Sequence, residues 1–154
     1  MSIFRPAVLG ACFACLMLAG NTLAQDESSI VGVWVNGDGD GWIELEIVGS
    51  ELFGRILGSP ADPLNRNPSR LDIQNPEESL RDRPLRGLTI LSGFRYEGDG
   101  RWDGGRVYDP NSGNTYKGTI TVVDDVTLKL RGFIGISLFG RTEVWVRRGE
   151  NKSM

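Results

Sequence analysis

Three aspartates, Asp99, Asp103 and Asp109, lie close together in the C-terminal half and are the first candidates for acid–base chemistry. Paired carboxylates can cleave glycosidic bonds when their surroundings push their pKa values apart. Asp99 and Asp109 sit instead in turn sequence, where Asp is selected to hydrogen-bond its own backbone. Asp103 lies in a strand-like run, and its orientation is open. Turn and surface roles are therefore the stronger reading of this set. Asn36-x-Asp38-x-Asp40-Gly41 opens like a calcium loop. Such a loop needs a bidentate Glu at its twelfth position, and Ile47 stands there. Asp109 and Tyr116 flank one hairpin and could share a network with Arg131 or Arg141. That cluster is either a buried pair that satisfies itself or a charged group that orients an anionic ligand at a cavity mouth.

Two absences narrow the chemistry. The chain has no histidine, which removes Ser-His-Asp triads, His-ligated zinc and imidazole acid–base work. Its two cysteines, Cys12 and Cys15, lie inside a targeting segment. Arg5 supplies a positive start, residues 7–19 an apolar run, and Thr22-Leu23-Ala24 a small-residue cleavage motif. Cleavage after Ala24 is expected, giving a mature protein, periplasmic or secreted, with no cysteine and no transmembrane segment. A lipobox reading of Leu9-Gly-Ala-Cys12 is disfavoured because the apolar run continues past it. The formal charge of −3 and the lack of a basic stripe argue against a nucleic-acid partner. No cofactor or metal is implied, and a carboxylate hydrolase ranks last among the functions considered.

The elements that must position these residues are short strands. Residues 42–48 alternate strictly, with Ile43, Leu45 and Ile47 on one face and Glu44 and Glu46 on the other, as in a half-buried strand. Similar pieces occur at 30–34, 51–57, 88–94, 101–108, 115–122, 127–131 and 142–147. Gly/Asn/Asp turns separate most of them. Asp109-Pro110-Asn-Ser-Gly113 presets its own turn, proline fixing φ and glycine supplying the left-handed position. Glycines within strands, among them Gly104, Gly105 and Gly132, suit bent or crowded barrel backbones. Residues 58–86 break the pattern with five prolines, and a loop of that length is a lid, a binding loop or a solvated excursion. Eight short strands and no long helix predict an all-β protein, an eight-stranded antiparallel up-and-down barrel with one long irregular loop. The expected organisation is a signal peptide at 1–24, a disordered N-terminus at 25–29, one barrel domain at 30–148 and a C-terminal tail at 149–154.

Several of these motifs resemble the bacterial secreted family called domain of unknown function 2147. They are Gly32-Val-Trp34, Leu52-Phe-Gly-Arg-Ile56, Trp102-x-Gly-Gly with Asp109-Pro-x-x-Gly113-x-x-Tyr116, and Arg131-Gly132 through Gly140-Arg141 to Trp145 and Arg147. The resemblance implies a lipocalin-like, calycin-type barrel and no established activity. Gly32-x-Trp34 is similar to the first-strand signature of calycins, whose tryptophan closes one barrel end beneath a C-terminal arginine. Arg147 is the best positional match, with Arg141 and Arg131 as rivals.

Eight strands leave room for either a packed interior or one small ligand. The first expectation is an exported barrel that binds a small, mostly apolar molecule and is not an enzyme. Its mouth would be lined by Phe53, Phe94, Trp102, Tyr116 and Phe133, with Arg131 or Arg141 nearby. The alternative is an envelope interaction protein with a filled barrel, working through the 58–86 loop or the outer strands. Protein partners and oligomeric state are not legible in the sequence.

Overall fold

A computed structural model describes residues 26–149. The expected signal peptide lies outside the described residues. Eight strands are present: β1 (Gly32–Val35), β2 (Trp42–Val48), β3 (Glu51–Gly58), β4 (Thr89–Gly98), β5 (Arg101–Asp109), β6 (Asn114–Asp124), β7 (Thr127–Phe133) and β8 (Arg141–Arg147). Each pairs antiparallel with the next, and β1 pairs with β8, so the sheet closes as an up-and-down barrel. Closure gives every strand a neighbour on both sides, with β1 and β8 meeting over two register pairs, Trp34↔Arg147 and Val35↔Val146. No helix among the described residues is long and apolar enough to cross a membrane.

The alternation read from residues 42–48 is realised in β2, whose Ile43 and Leu45 are buried. Leu52, Leu91, Phe94, Trp102, Ile120, Val122, Leu128, Leu130 and Trp145 join them in the core. Phe94 needs space that its neighbours provide. A Cβ on Gly105 would stand 2.2 Å from the Phe94 ring, and one on Gly118 would stand 2.7 Å away. These two strand glycines are thus a socket for one aromatic ring.

The two barrel ends differ. At one end lie the connections β2–β3, β4–β5 and β6–β7, all short. A 3-10 turn, Glu27–Ile30, covers this end and inserts Ile30, which is fully buried. Composition had placed residues 25–29 in a disordered N-terminus, but residues 27–29 belong to this turn. The reason is tertiary. The Trp34 indole N–H donates to the Ile30 carbonyl at 2.8 Å, and the Arg147 guanidinium lies 4.3 Å from the Trp34 ring. Arg147 also donates to the carbonyls of Val31 at 2.8 Å, Asp125 at 2.6 Å and Ser29. Planar, fork-shaped guanidinium is suited to stacking on an indole while serving several acceptors. Gly32 lets it through, because its φ of 135° favours glycine and a Cβ there would lie 2.6 Å from Arg147 Nη1.

At the other end lie the 36–41 turn, the long 59–88 segment, the 110–113 turn and the 134–140 segment. The long segment has only one short 3-10 turn, Glu78–Leu80, yet it is anchored. Asp72 is fully buried and accepts from Tyr108 Oη at 2.6 Å, Asn75 Nδ2 at 2.8 Å and Arg83 Nε at 2.8 Å. Arg83 Nη2 adds an ion pair at 2.7 Å. Burial by itself would raise the Asp72 pKa, but the three donors and the Arg83 charge outweigh it and hold the carboxyl below its ordinary range. Burial, followed by the hydrogen bond to Asp72, raises the Tyr108 phenol above its ordinary value. A second contact clamps the same segment. Gly113 has φ 73°, and a Cβ there would stand 1.9 Å from the Gln74 carbonyl oxygen.

Candidate functional site

The half of the barrel beyond the Trp34 end is hollow. A cavity of about 700 Å³ runs from the rim segments down to Ile43, Leu130 and Trp145. Its β3–β5 wall is aliphatic, formed by Ile56, Ile90 and Val107. In a ring of eight strands β8 stands across from β4, and its contribution is different. Trp145 is buried while Val144 and Val146 are each 50% exposed, so β8 turns its valines outward. Strand alternation then sends Arg141 and Glu143 to the inner face, and both line the cavity. Glu143 is half-buried and packs on the 36–41 turn, where a Cβ on Gly37 would lie 3.0 Å from its own Cβ. Its carboxylate accepts from the Trp145 indole N–H at 3.2 Å. No lysine or arginine among the described residues forms an ion pair with it. Arg141 is exposed at the rim and has no hydrogen-bond or ion-pair partner among the described residues. The Tyr116 hydroxyl likewise has no partner among the described residues.

The cavity gathers three of the expected lining residues, Tyr116, Phe133 and Arg141. The other four stand elsewhere. Phe94 and Trp102 are fully buried in the core near the closed half and do not reach the cavity. Phe53 lies between the inward positions Leu52 and Gly54 on β3 and so faces outward. Arg131, next to the inward Leu130, donates to Thr142 Oγ1 at 2.9 Å and the Leu138 carbonyl at 3.3 Å, bracing the 134–140 segment. Sequence reasoning ranked aromatic size above strand parity. It missed Glu143 for that reason, although the inward parity of Trp145 and Arg147 was enough to find it.

The three aspartates serve the backbone. Asp99 adopts φ 50° in the β4–β5 turn. Asp103 accepts from Arg101 at 2.5 Å, the Gly104 N–H at 2.7 Å and Thr119 at 3.0 Å, fixing an irregularity in β5. The Arg101 hydrogen bond is the main cause of its lowered pKa. Asp109 accepts from the Asn111 N–H and the Ser112 hydroxyl, and its own carbonyl accepts from Gly113. Pro110 completes that turn at the rim. In the 36–41 turn, Asn36 Oδ1 accepts from the amides of Asp40 and Gly41. Neither the Asp109–arginine pair nor the carboxylate dyad considered from sequence is formed among these residues.

The model of a family described as an uncharacterized protein conserved in bacteria, DUF2147, matches residues 32–147. The chain belongs to the DUF2147 family. The match runs from Gly32 to Arg147, so it spans the whole closure of this DUF2147 barrel. Among solved structures, protein HP1028 from the human pathogen Helicobacter pylori, described as belonging to the lipocalin family, superposes with a TM-score of 0.68 at 18% identity. The match covers 78% of this chain and 83% of that one, and it shows a shared lipocalin-like fold. A redesigned β-barrel superposes with a TM-score of 0.41 at 17% identity, covering 80% of this chain and 94% of the designed one. No curated protein matches the sequence.

Proposed function

We propose that this DUF2147 chain is an exported binding protein that holds a small, mostly apolar molecule in the open half of its barrel. The observation that carries the reading is the cavity of about 700 Å³ between an aliphatic wall and a tryptophan floor. Ligand sites of roughly 300–1,000 Å³ with mostly apolar walls and a few placed polar groups are the common pattern. The lipocalin-like fold supports binding as the general activity. A filled barrel working through the 58–86 loop or the outer strands would leave no such space. Binding without catalysis also suits a chain with no histidine and with cysteines only at positions 12 and 15.

The test is a thermal-shift panel of fatty acids, quinones and hydrophobic dyes on the mature protein. A ligand at a hundred times its Kd should stabilise the fold by about 2.7 kcal/mol, raising Tm on the order of 10 °C. Trp145 at the cavity floor should report the event. Trp145→Phe should remove most of the ligand-induced fluorescence change, while Trp102→Phe should leave it. A panel with no shift, or a signal carried by Trp102, would refute the cavity reading.

Export is part of the same proposal. It rests on the apolar run and cleavage motif of residues 1–24. Intact-mass measurement of the exported protein should give a chain beginning at Gln25. A lipidated chain beginning at Cys12 would instead mean membrane anchoring.

A further inference from the structure

Charged residues seldom face the inside of a small barrel, because burial without a partner is costly. β8 does the reverse of the expected pattern, with Arg141 and Glu143 inward and Val144 and Val146 outward. The inner half of that choice is explained at the closed end, where Trp145 joins the core and Arg147 covers Trp34. Neither of the other two charges meets an opposite charge among the described residues: Glu143 accepts only the neutral Trp145 indole N–H, and Arg141 has no partner. They are opposite in sign and share a face two residues apart, yet they form no ion pair with each other. Glu143 is drawn toward the cavity floor by the Trp145 indole N–H, away from Arg141. The strand therefore holds an accepting carboxylate inside the cavity and a free guanidinium at its rim. Two same-face positions on a strand lie about 6.6 Å apart. Across the barrel Ile56, Ile90 and Val107 form an aliphatic wall, and the arginines at its rim are engaged, Arg86 with Asp62 and Arg70 with Asn111.

We infer that the ligand is a single-chain amphiphile with a zwitterionic headgroup, its amine donating to Glu143 and its anionic group meeting Arg141. The apolar chain lies against Ile56, Ile90 and Val107. A phosphoethanolamine headgroup, with ammonium and phosphate a few atoms apart, has this chemistry. The amine supplies the charge-assisted donor that the carboxylate lacks, and an arginine is the better partner for a phosphate. Glu143 and Arg141 are specificity residues in this arrangement. The inference rests on the cavity reading above and adds the headgroup to it.

The experiment compares three probes of equal chain length below their micelle concentrations, using calorimetry on the mature protein. They are a lysophospholipid with a phosphoethanolamine head, one with a phosphoglycerol head, and the uncharged alcohol. The ethanolamine form should bind at least about tenfold more tightly than the glycerol form, as expected for one charge-assisted contact. Glu143→Gln should erase that difference by weakening only the ethanolamine form. Arg141→Gln should weaken both phosphate-bearing probes and spare the alcohol. The ranking of probes by the unmodified protein needs no variant, so a misfolded variant leaves the test intact. If all three probes bind the unmodified protein equally, the headgroup assignment is wrong and the cavity reading stands. The assignment is also wrong if Glu143→Gln weakens all three alike. If none of the three binds while the wider panel of apolar ligands does, the amphiphile assignment is wrong and the cavity reading stands; if the wider panel also fails, both fall.

Discussion

Trp34→Ala should lower the stability of the barrel by about 3–5 kcal/mol, the range for large buried aromatics. Trp34 is fully buried, and its removal does more than open a void. Its indole N–H supports the Ile30 carbonyl, and its ring is the platform for Arg147. With a urea m-value of about 2 kcal/mol/M, the unfolding midpoint should fall by about 2 M. Trp34→Phe, which keeps a ring but loses the N–H, should cost less, about 1–3 kcal/mol, because one buried acceptor is left unsatisfied. A midpoint that moves by only a few tenths of a molar for Trp34→Ala would show that the closed end is not organised around this ring.

Asp72→Ala should cost about 2–3 kcal/mol, because it strips the acceptor from the Tyr108 and Asn75 donors around a fully buried carboxylate, while Arg83, one-third exposed, can turn to water. The loss should appear first where the pair acts. The 59–88 segment should become open to proteolysis and hydrogen exchange before the barrel itself unfolds, since local openings draw on the weakest contacts. Acid should mimic the variant. The folded Asp72 carboxyl is held below its ordinary value, so its stabilising contribution is complete above the unfolded value of about 4. It is lost as pH falls through the folded value. Asp72→Asn should therefore flatten the acid limb of the stability curve while leaving its neutral region lower. An unchanged proteolysis pattern in Asp72→Ala would show that the segment is held by other contacts.

The architecture could be read from residues because alternation in 42–48 and the turn chemistry at 109–113 are local signals. Gly32, Trp34 and Arg147 were legible through the family resemblance, which pairs a first-strand tryptophan with a C-terminal arginine. The interior half of the site was harder. Phe94 and Trp102 are large and sit near the right sequence positions, but bulges in β4 and β5 decide their depth. Glycines 105 and 118 then draw Phe94 into the core. No window of single-strand pattern contains that information. Asp72 was hidden for a different reason. In sequence it is one polar residue in a proline-rich stretch, and its partner Tyr108 lies in another element.

The seam between β1 and β8 sets the order in which this molecule can be made. Its register pairs join Trp34 to Arg147 and Val35 to Val146, so closure needs residues from both ends of the domain. During synthesis β1 appears first and waits for almost the whole domain before its second neighbour exists. Until then both seam edges offer unpaired amides and carbonyls to any passing chain. Such long-range closure is intrinsically slow and exposed to aggregation. A nascent chain of this kind is safest when its seam edges stay covered until Arg147 has been made.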